Sequence, residues 1–179
     1  MAAVEKLLTA ALVEIRTEDP ENWAALFCMN AYYAELDSRF ESGFQSELSL
    51  TLGSDDLTEP AGLLVVAYLR NEPIGCGALK FRDGGLADVK RMWLAPEIRG
   101  REIGRRLLED LESRARSRGR HSLRLDTHRH LEEAISLYRT SGLRAVAAYN
   151  QEPYANHWFM KRLSRTSSFA RKVTKTKRK

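Results

Sequence analysis

The segment between residues 94 and 103 holds residues whose types and spacing suit the binding of an anion. Arg99, Gly100 and Gly104 lie in a turn that opens a predicted helix. Backbone N–H groups at a helix start lack intrahelical acceptors, and the helix dipole adds positive potential, so such a turn can hold a phosphate group. Three further arginines follow within the same stretch: Arg101, Arg105 and Arg106. Their charge favours a ligand with several phosphate groups over one with a single carboxylate.

An alternative interpretation of these residues is a solvated basic helix face with an ordinary capping glycine, because short glycine motifs often occur by chance. Two commoner nucleotide-binding motifs are not found in the sequence. Gly75 and Gly77 lie inside a strand pattern rather than at a strand-to-helix turn, and no Gly-x-x-x-x-Gly-Lys-Ser/Thr run occurs. The Rossmann and P-loop interpretations are therefore weak.

Apolar periodicity along the chain predicts the elements that must position this turn. The predicted strands are Leu12–Arg16, Leu63–Leu69, Ile74–Phe81, Leu86–Leu94, Ser122–Asp126, Arg144–Tyr149 and His157–Leu163. The predicted helices run from Trp23 to Leu36, from Ile103 to a cap at Gly119, and from Leu131 to a stop at Gly142. Residues 40–60 show no clean period and are interpreted as a loop with short helical pieces. The alternation of strands and helices predicts an α/β fold of mixed α+β character in one domain.

Length and composition indicate one domain followed by a basic tail. The 179 residues are 43% hydrophobic and 30% charged, which suits one compact domain, predicted as residues 1–163. Residues 164–179 carry seven basic residues and no acid, more than the net charge of +5 of the whole chain. We interpret this tail as a solvated, disordered end. The alternative is a contact for nucleic acid, although Phe169 is the tail's one aromatic residue.

No segment of the sequence predicts a membrane span, a secretion signal or a metal site. The longest apolar run, residues 62–69, is shorter than the ~18 residues that suggest a bilayer span. Residues 1–11 lack the basic start and uninterrupted apolar stretch of a secretory signal. Cys28 and Cys76 have no Cys or His spaced to share a metal and are interpreted as buried thiols. A cytoplasmic protein with no metal and no membrane partner is therefore expected.

The chain resembles the GNAT superfamily of acetyl-CoA-dependent N-acetyltransferases in two stretches. The family's acetyl-CoA signature is similar to Val89-Lys-Arg-Met-Trp-Leu-Ala-Pro-Glu-Ile-Arg-Gly-Arg-Glu-Ile-Gly-Arg-Arg-Leu-Leu108. Its second cofactor helix is similar to Leu137-Tyr-Arg-Thr-Ser-Gly-Leu143. The resemblance runs from about Leu12 to Leu163. It implies a GNAT-like single domain with a central, mostly antiparallel twisted sheet of six to seven strands flanked by helices.

The resemblance also implies how acetyl-CoA binds. The backbone at Met92, Trp93 and Leu94 would pair with the pantetheine arm. The pyrophosphate would be cradled by the turn, that is, by Arg99, Gly100, Arg101, Glu102, Ile103, Gly104 and Arg105. Glu102 departs from the family pattern, which has glycine at this place. A carboxylate beside a pyrophosphate is repelled by it, so we expect Glu102 to weaken the binding of acetyl-CoA without abolishing it.

The implied reaction is transfer of the acetyl group to a primary amine, of a small molecule rather than a protein, by direct attack in a ternary complex. A backbone N–H near Leu94 would stabilise the oxyanion. Tyr138 takes the family's position for the general acid, because a phenol with a reference pKa near ~10 is protonated at neutral pH. The alternative for Tyr138 is a core aromatic residue. Asp88 would be the general base, acting through water, or else an exposed strand carboxylate paired with Lys90.

The acceptor wall is expected after the first predicted helix, at Tyr33, Asp37, Arg39 and Phe40. This mixture of acid, base and aromatic residues fits a small zwitterionic amine, and it also fits a solvated helix end. Resemblance to a bacterial subgroup over residues 149–161 places His157 beside the same cleft.

A second hypothesis from a different class is a binding module on the same fold. In that case Glu102 has reduced catalysis and the basic tail docks to nucleic acid. Sheet edges and the loop around Asn150 could in addition support a homodimer.

Overall fold

A computed structural model describes residues 2–49, 52–100 and 102–164, and within them the chain forms four helices and seven strands. The helices are Ala2–Ala11 (α1), Trp23–Arg39 (α2), Ile103–Ser117 (α3) and Glu132–Thr140 (α4). The strands are Val13–Glu18 (β1), Gly62–Leu69 (β2), Glu72–Arg82 (β3), Leu86–Leu94 (β4), Ser122–Thr127 (β5), Arg144–Val146 (β6) and His157–Arg162 (β7). Short 3-10 turns at Ser46–Leu48 and Asp55–Leu57 lie in the segment interpreted as a loop with helical pieces.

The strands of the described residues form one sheet in the order β1-β2-β3-β4-β5-β7-β6. Neighbours are antiparallel except for β4 and β5, which are parallel. The helix α3 provides the crossover that a parallel pair requires. The predicted mixed fold with a mostly antiparallel sheet of six to seven strands is confirmed.

Helices cover both faces of the sheet. Alternate residues of β2 point to opposite faces, so Leu64 and Val66 pack in one apolar cluster and Leu63 and Val65 in the other. The first cluster includes Ala24, Ala25 and Cys28 of α2. The second includes the apolar stripe of α3, formed by Leu107, Leu108 and Leu111. Because both faces are buried, β2 is apolar throughout and shows no polar alternation.

Two elements differ from the sequence prediction. The helix α1 was not predicted, and Val4 and Leu8 on it are exposed whereas Ala10 is buried. The predicted strand Arg144–Tyr149 ends early, at Val146. Beyond that point the chain turns from the sheet, since Asn150 donates a hydrogen bond to Asp126 at 2.9 Å.

The sheet separates between its two parallel strands. Residues 86–88 of β4 pair with residues 122–124 of β5, and within the described residues no pairing continues past them. From Val89 to Leu94 the β5-facing edge of β4 has no partner strand in the part of the chain that the structure describes. Backbone N–H and C=O groups at such an edge need other partners. The gap is therefore a slot lined by backbone hydrogen-bonding groups.

In the described residues, no helix has both the length and the apolar character needed to cross a bilayer. The predicted domain boundary after residue 163 stays a prediction. Residues 165–179 of the predicted tail lie outside the described residues.

Gly75 of β3 pairs with Leu94, and an added Cβ there would lie 2.6 Å from the Trp93 carbonyl oxygen and would also overlap the Leu94 side chain. We expect Gly75→Ala to lower the free energy of unfolding by about 1–3 kcal/mol, because the backbone of β4 must shift. Gly77→Ala is the matched control on the same strand, since its added Cβ meets a side-chain tip, Leu111 Cδ1 at 2.9 Å. Denaturant melts compare the two. Equal losses would contradict this account.

Candidate active site

A cavity of about 810 Å³ lies where β4 and β5 separate. Its walls are the diverging ends of these strands, the inner faces of α2 and α4, and the turn before α3. Phe44 and Leu52 from one loop, and Glu152 and Tyr154 from another, line its far end. Most residues predicted for acetyl-CoA and acceptor binding border this one space: Tyr33, Arg39, Phe40, Met92, Trp93, Leu94, Arg99, Gly100, Glu102, Gly104, Arg105 and Tyr138.

The N-terminus of α3 opens onto the cavity. Gly100, Gly104 and Arg105 line it, and the side chain of Glu102 does not cap the helix. The first N–H groups of an α-helix have no intrahelical acceptor, so they remain available to an anion. Gly104 also permits close packing, because an added Cβ would lie 3.2 Å from Leu137. The turn therefore opens α3 onto the cavity as the spacing suggested, and anion binding there stays a prediction.

Glu102 has a backbone consequence that was not predicted. It adopts a left-handed conformation, with φ of 61°, as the N-cap residue of α3. Glycine adopts this conformation without steric cost, whereas other L-residues lose roughly 1–2 kcal/mol. Its carboxylate points outward, with 60% of the side chain exposed, and pairs with Arg105 at 3.0 Å. The departure from the family pattern therefore affects both charge and backbone strain.

Ile103 and Arg101 also belong to the predicted turn. Ile103 is fully buried in the core and does not line the cavity, so its side chain anchors α3. Arg101 lies outside the described residues.

Arg99 is held by the protein rather than directed at a ligand. Its guanidinium donates to both carboxylate oxygens of Glu35, at 2.8 and 2.5 Å, and to the Leu94 carbonyl at 3.0 and 2.7 Å. The same carboxylate accepts a hydrogen bond from Trp93 Nε1 at 2.8 Å and pairs with Arg39 at 2.8 Å. Arg99 is therefore a positioning residue that joins α2, the end of β4 and the turn.

Glu35 was missed by sequence reasoning. The available signal was its spacing of four residues from Arg39 on one helix, which is common on solvated helices. Burial is the largest single influence and opposes the ionisation of Glu35. The hydrogen bonds from Arg99 and Trp93 and the charges of Arg99 and Arg39 together outweigh it, so the pKa of the carboxyl is lowered. The folded state therefore favours the ionised form of Glu35.

Tyr138 lies in α4 with its ring buried against the core, 6.1 Å from the ring of Phe159. It borders the cavity. Burial, with a smaller contribution from the nearby Asp126 carboxylate, raises the pKa of Tyr138 above its ordinary value. The phenol is therefore protonated at neutral pH and able to donate a proton.

Asp88 does not lie where the sequence prediction put it. Its side chain is buried, is not part of the cavity wall, and pairs with Arg82 at 2.9 Å and Arg124 at 2.5 Å. The alternative partner, Lys90, pairs instead with Asp126 at 2.6 Å. Both carboxylate oxygens are engaged by arginine side chains, Oδ1 by Arg124 and Oδ2 by Arg82 and Arg124. This geometry argues against Asp88 as the general base.

Asp126 is the acidic residue of the β5 end that borders the cavity, and it was not predicted. It accepts hydrogen bonds from Lys90 and, at 2.9 Å, from Asn150. What distinguishes Asp126 from other charged residues is its location near the end of β5, where β5 and β4 separate. That separation is a tertiary feature, so the sequence alone carried no signal for it.

The acceptor-side predictions divide into two groups. Tyr33, Arg39 and Phe40 border the cavity. Asp37 does not, because its carboxylate accepts a hydrogen bond from the Phe44 N–H at 2.9 Å and fixes the loop after α2. His157 also lies outside this cavity, with its Nδ1 2.8 Å from Asn156 Oδ1. His157 pairs in the sheet with Thr127, a residue of the cavity wall, and its role at the acceptor cleft stays a prediction.

Four aromatic rings, which we call the aromatic wall, line the acceptor side: Tyr33, Phe40, Phe44 and Tyr154. Tyr33 stacks on Phe44 with ring centroids 5.7 Å apart, and Phe40 stacks on Tyr154 at 5.5 Å. Phe44 and Tyr154 contact each other at 4.8 Å. Since they come from loops 110 residues apart in sequence, periodicity could not have brought them together.

The chain is similar to known acetyltransferases in sequence and in fold. Residues 22–143 match the acetyltransferase (GNAT) family model. The chain is 38% identical over 109 residues to an IAA acetyltransferase of Azospirillum brasilense, which covers 60% of the chain and 71% of that protein. A Klebsiella pneumoniae structure assigned as an acyl-CoA N-acyltransferase has a TM-score of 0.68 at 26% identity, covering 86% of the chain and 99% of that protein. The PaiA N-acetyltransferase of Thermoplasma acidophilum in complex with coenzyme A shares the fold at 18% identity, with a TM-score of 0.64 and coverage of 84% and 98%.

We expect Glu35→Gln to lower the free energy of unfolding by about 1–2 kcal/mol at pH 7, because Arg99 loses a partly buried ionic partner. The folded-state pKa of Glu35 is lowered, so its contribution is present above the ordinary carboxyl pKa of about 4.3 and is lost as pH falls through the lowered value. The difference between wild type and variant should therefore shrink below about pH 4.

Denaturant melts at several pH values measure this difference. Glu14→Gln is the matched control, since Glu14 pairs with Arg16 on the surface at 2.5 Å, with 65% of its side chain exposed. Exposed pairs contribute little, so the control should behave like wild type. A Glu35→Gln variant as stable as the Glu14→Gln control at pH 7 would contradict the role of Glu35.

Proposed function

Because the chain belongs to the GNAT family of acetyltransferases, we propose that it transfers the acetyl group of acetyl-CoA to the primary amine of a small molecule by direct attack in a ternary complex. Family membership makes the protein an acyltransferase, and GNAT acetyltransferases act on amine acceptors. The observation that carries the proposal is the slot between β4 and β5 with the uncapped start of α3 at its mouth.

The residues of this site suit acetyl-CoA, which when bound supplies an activated acyl group as a thioester. The open edge of β4 at Met92, Trp93 and Leu94 offers backbone groups to the amides of the pantetheine arm. The N–H groups at the start of α3, with Gly100, Gly104 and Arg105, suit the pyrophosphate. Arg99 contributes by holding the turn in place.

The acceptor must reach the thioester carbon as a neutral amine held beside β4. Enclosure in the cavity aligns the nitrogen with the acyl carbon and supplies much of the rate enhancement. A backbone N–H near Leu94 donates to the acyl oxygen as negative charge develops there. The new N–C bond forms as the C–S bond breaks, and the proton of the amine leaves to water.

Tyr138 donates its phenolic proton to the departing sulfur, which leaves as the neutral thiol. The phenol is then reprotonated from solvent. Its raised pKa supports this role, since the hydroxyl stays protonated through the pH range in which the acceptor amine becomes neutral. The proton-accepting carboxylate proposed from the sequence, Asp88, has no place in this scheme.

A small-molecule acceptor is supported by contacts that bridge the end of the cavity. Tyr154 OH accepts a hydrogen bond from the Gln45 N–H at 3.0 Å, and Ser49 Oγ donates to Glu152 at 3.0 Å. Two loops are thereby joined across the acceptor side. An extended peptide would need an open groove there, whereas a compact amine would not.

The alternative of a binding module with little catalysis has less support, because the chain matches acetyltransferases in sequence and in fold. Docking of the tail to nucleic acid stays a prediction, as does the homodimer.

We expect Glu102→Gly to lower the Kd for acetyl-CoA several-fold, because a carboxylate near the pyrophosphate is removed and Arg105 is freed. The same change should raise the free energy of unfolding by about 1 kcal/mol, since glycine adopts positive φ without strain. Glu102→Gln is the matched control, which removes the charge and keeps the strain. It should tighten binding without the gain in stability.

Calorimetric titration and thermal melts separate the two effects. An unchanged or raised Kd for acetyl-CoA in Glu102→Gly would show that the carboxylate does not oppose cofactor binding.

We expect Tyr138→Phe to reduce kcat by about 10²-fold or more at saturating substrates, because the departing thiolate loses its proton donor. The Kd for acetyl-CoA should stay within about twofold of wild type, since the ring is retained. Tyr68→Phe is the matched control, because Tyr68 is buried outside the cavity and its hydroxyl donates to Glu18 at 2.8 Å. It should keep wild-type kcat.

Release of free thiol from acetyl-CoA in the presence of an amine panel measures these rates. Full turnover by Tyr138→Phe would remove the acid role from Tyr138. Failure of the wild type to acetylate any amine, despite binding acetyl-CoA, would overturn the proposed function itself.

A further inference from the structure

Most charged residues of the cavity wall neutralise one another. Arg39 and Arg99 pair with Glu35, Lys90 pairs with Asp126, and Arg105 pairs with Glu102. Among the described arginine and lysine side chains of the cavity wall, one has no carboxylate within ion-pair distance, and that residue is Arg91.

Arg91 is held in place by an irregularity of β4. The register between β3 and β4 shifts between Cys76 and Ala78, and Arg91 adopts φ of 52° at this bulge. The Cys76 thiol donates to the Arg91 carbonyl at 3.2 Å. A non-glycine residue in the left-handed region is costly and persists where the surroundings fix it. The bulge therefore redirects the Arg91 side chain in a defined way.

The guanidinium of Arg91 is only partly used by the protein. Nη2 donates to the Leu52 carbonyl at 2.6 Å, and Nη1 donates to Met29 Sδ at 3.3 Å. A guanidinium has five N–H donors, so three have no acceptor among the described residues. A neutral side-chain donor could hold the Leu52 carbonyl equally well, so this contact alone does not account for a charged guanidinium here. The remaining donors fit a planar anion such as a carboxylate.

Arg91 also adjoins the aromatic wall. Its guanidinium carbon lies 5.7 Å from the centroid of the Tyr33 ring, which itself stacks on Phe44. Arg91 is thus within cation–π distance of the aromatic wall, so a charged side chain and apolar rings lie next to each other on the acceptor side. One ligand can therefore reach both.

We propose that the acceptor amine carries a carboxylate, which the Arg91 guanidinium binds, and an apolar or aromatic body, which packs on the aromatic wall. The acceptor class is then that of amino acids and related amino-carboxylates. This inference rests on the proposed acetyl transfer and names the substrate class of that site. In this proposal Arg91 takes the acceptor-binding role that the sequence suggested for Arg39. The charge of Arg39 is neutralised by Glu35 and by Glu133 at 3.0 Å.

The first experiment uses the wild-type protein and a matched pair of acceptors, L-phenylalanine and L-phenylalaninamide. The two share the amine and the aromatic body and differ in the negative charge. Because their amines titrate at different pH, kcat/KM is compared at its high-pH limit for each. We expect a preference of about ten- to hundredfold for the carboxylate, the range of a hydrogen bond to a charged group. Equal use of both, or preference for the amide, overturns the proposal without any variant.

The second experiment measures the same preference in variants. Arg91→Gln should reduce it to about one, and Arg91→Lys, which keeps the charge without the planar fork, should retain an intermediate value. Arg39→Gln is the matched control, because it removes another arginine of the cavity wall that already has carboxylate partners. Its preference should equal that of wild type. A preference that falls equally in Arg39→Gln and Arg91→Gln overturns the assignment to Arg91.

The Kd for acetyl-CoA is measured in each variant. Arg91→Gln should leave it within about twofold of wild type, whereas a large loss with an unchanged acceptor preference would place Arg91 at the cofactor and overturn the inference. If both acceptors are acetylated with no preference, the proposed acetyl transfer stands and the proposed recognition of the acceptor carboxylate is refuted. Acetyl-CoA binding without acetylation of any amine in the earlier panel refutes the proposed transfer instead.

Discussion

The carboxylate of Glu35 is the contact on which the geometry of the site depends. It receives both terminal nitrogens of Arg99 and the indole N–H of Trp93, and Arg99 in turn holds the Leu94 carbonyl. Three segments distant in sequence therefore meet at one partly buried anion: the acceptor-side helix, the open strand edge and the anion-binding turn. The Arg99–Glu35 ion pair therefore ties the position of α2 to that of the turn.

The cavity exists because the sheet is incomplete where its parallel strands separate. Pairing of β4 with β5 stops after Asp88, which two arginines hold in the core, and the backbone edge beyond it has no partner strand in the described part of the chain. A bulge at the same strand turns Arg91 toward the acceptor side. Two departures from regular pairing on β4, the gap toward β5 and the bulge toward β3, thus form the slot and orient Arg91.

Much of the fold followed from local pattern. Apolar alternation and spacing depend on neighbours a few residues apart, so β2, β3, β4, α3 and α4 were predicted close to their observed bounds. The helix α1 was not predicted, although Val4, Leu8 and Ala11 fall at helical spacing in the sequence. The strand β6 was predicted too long. The chain after it leaves the sheet, and Asn150 there donates a hydrogen bond to Asp126, a contact that periodicity cannot reveal.

The sequence by itself determined the family, the glycine-containing turn that opens α3 and the position of Tyr138 in α4, because each is encoded in a run of adjacent residues or in helical spacing. Tertiary structure decided which side chains meet in the cavity. It placed Asp88 and His157 outside the cavity wall, engaged Arg99 with Glu35, and left Arg91 without an acidic partner among the described residues. Ion pairs and cavity walls join residues far apart along the chain, so their pairing is fixed only when the chain folds.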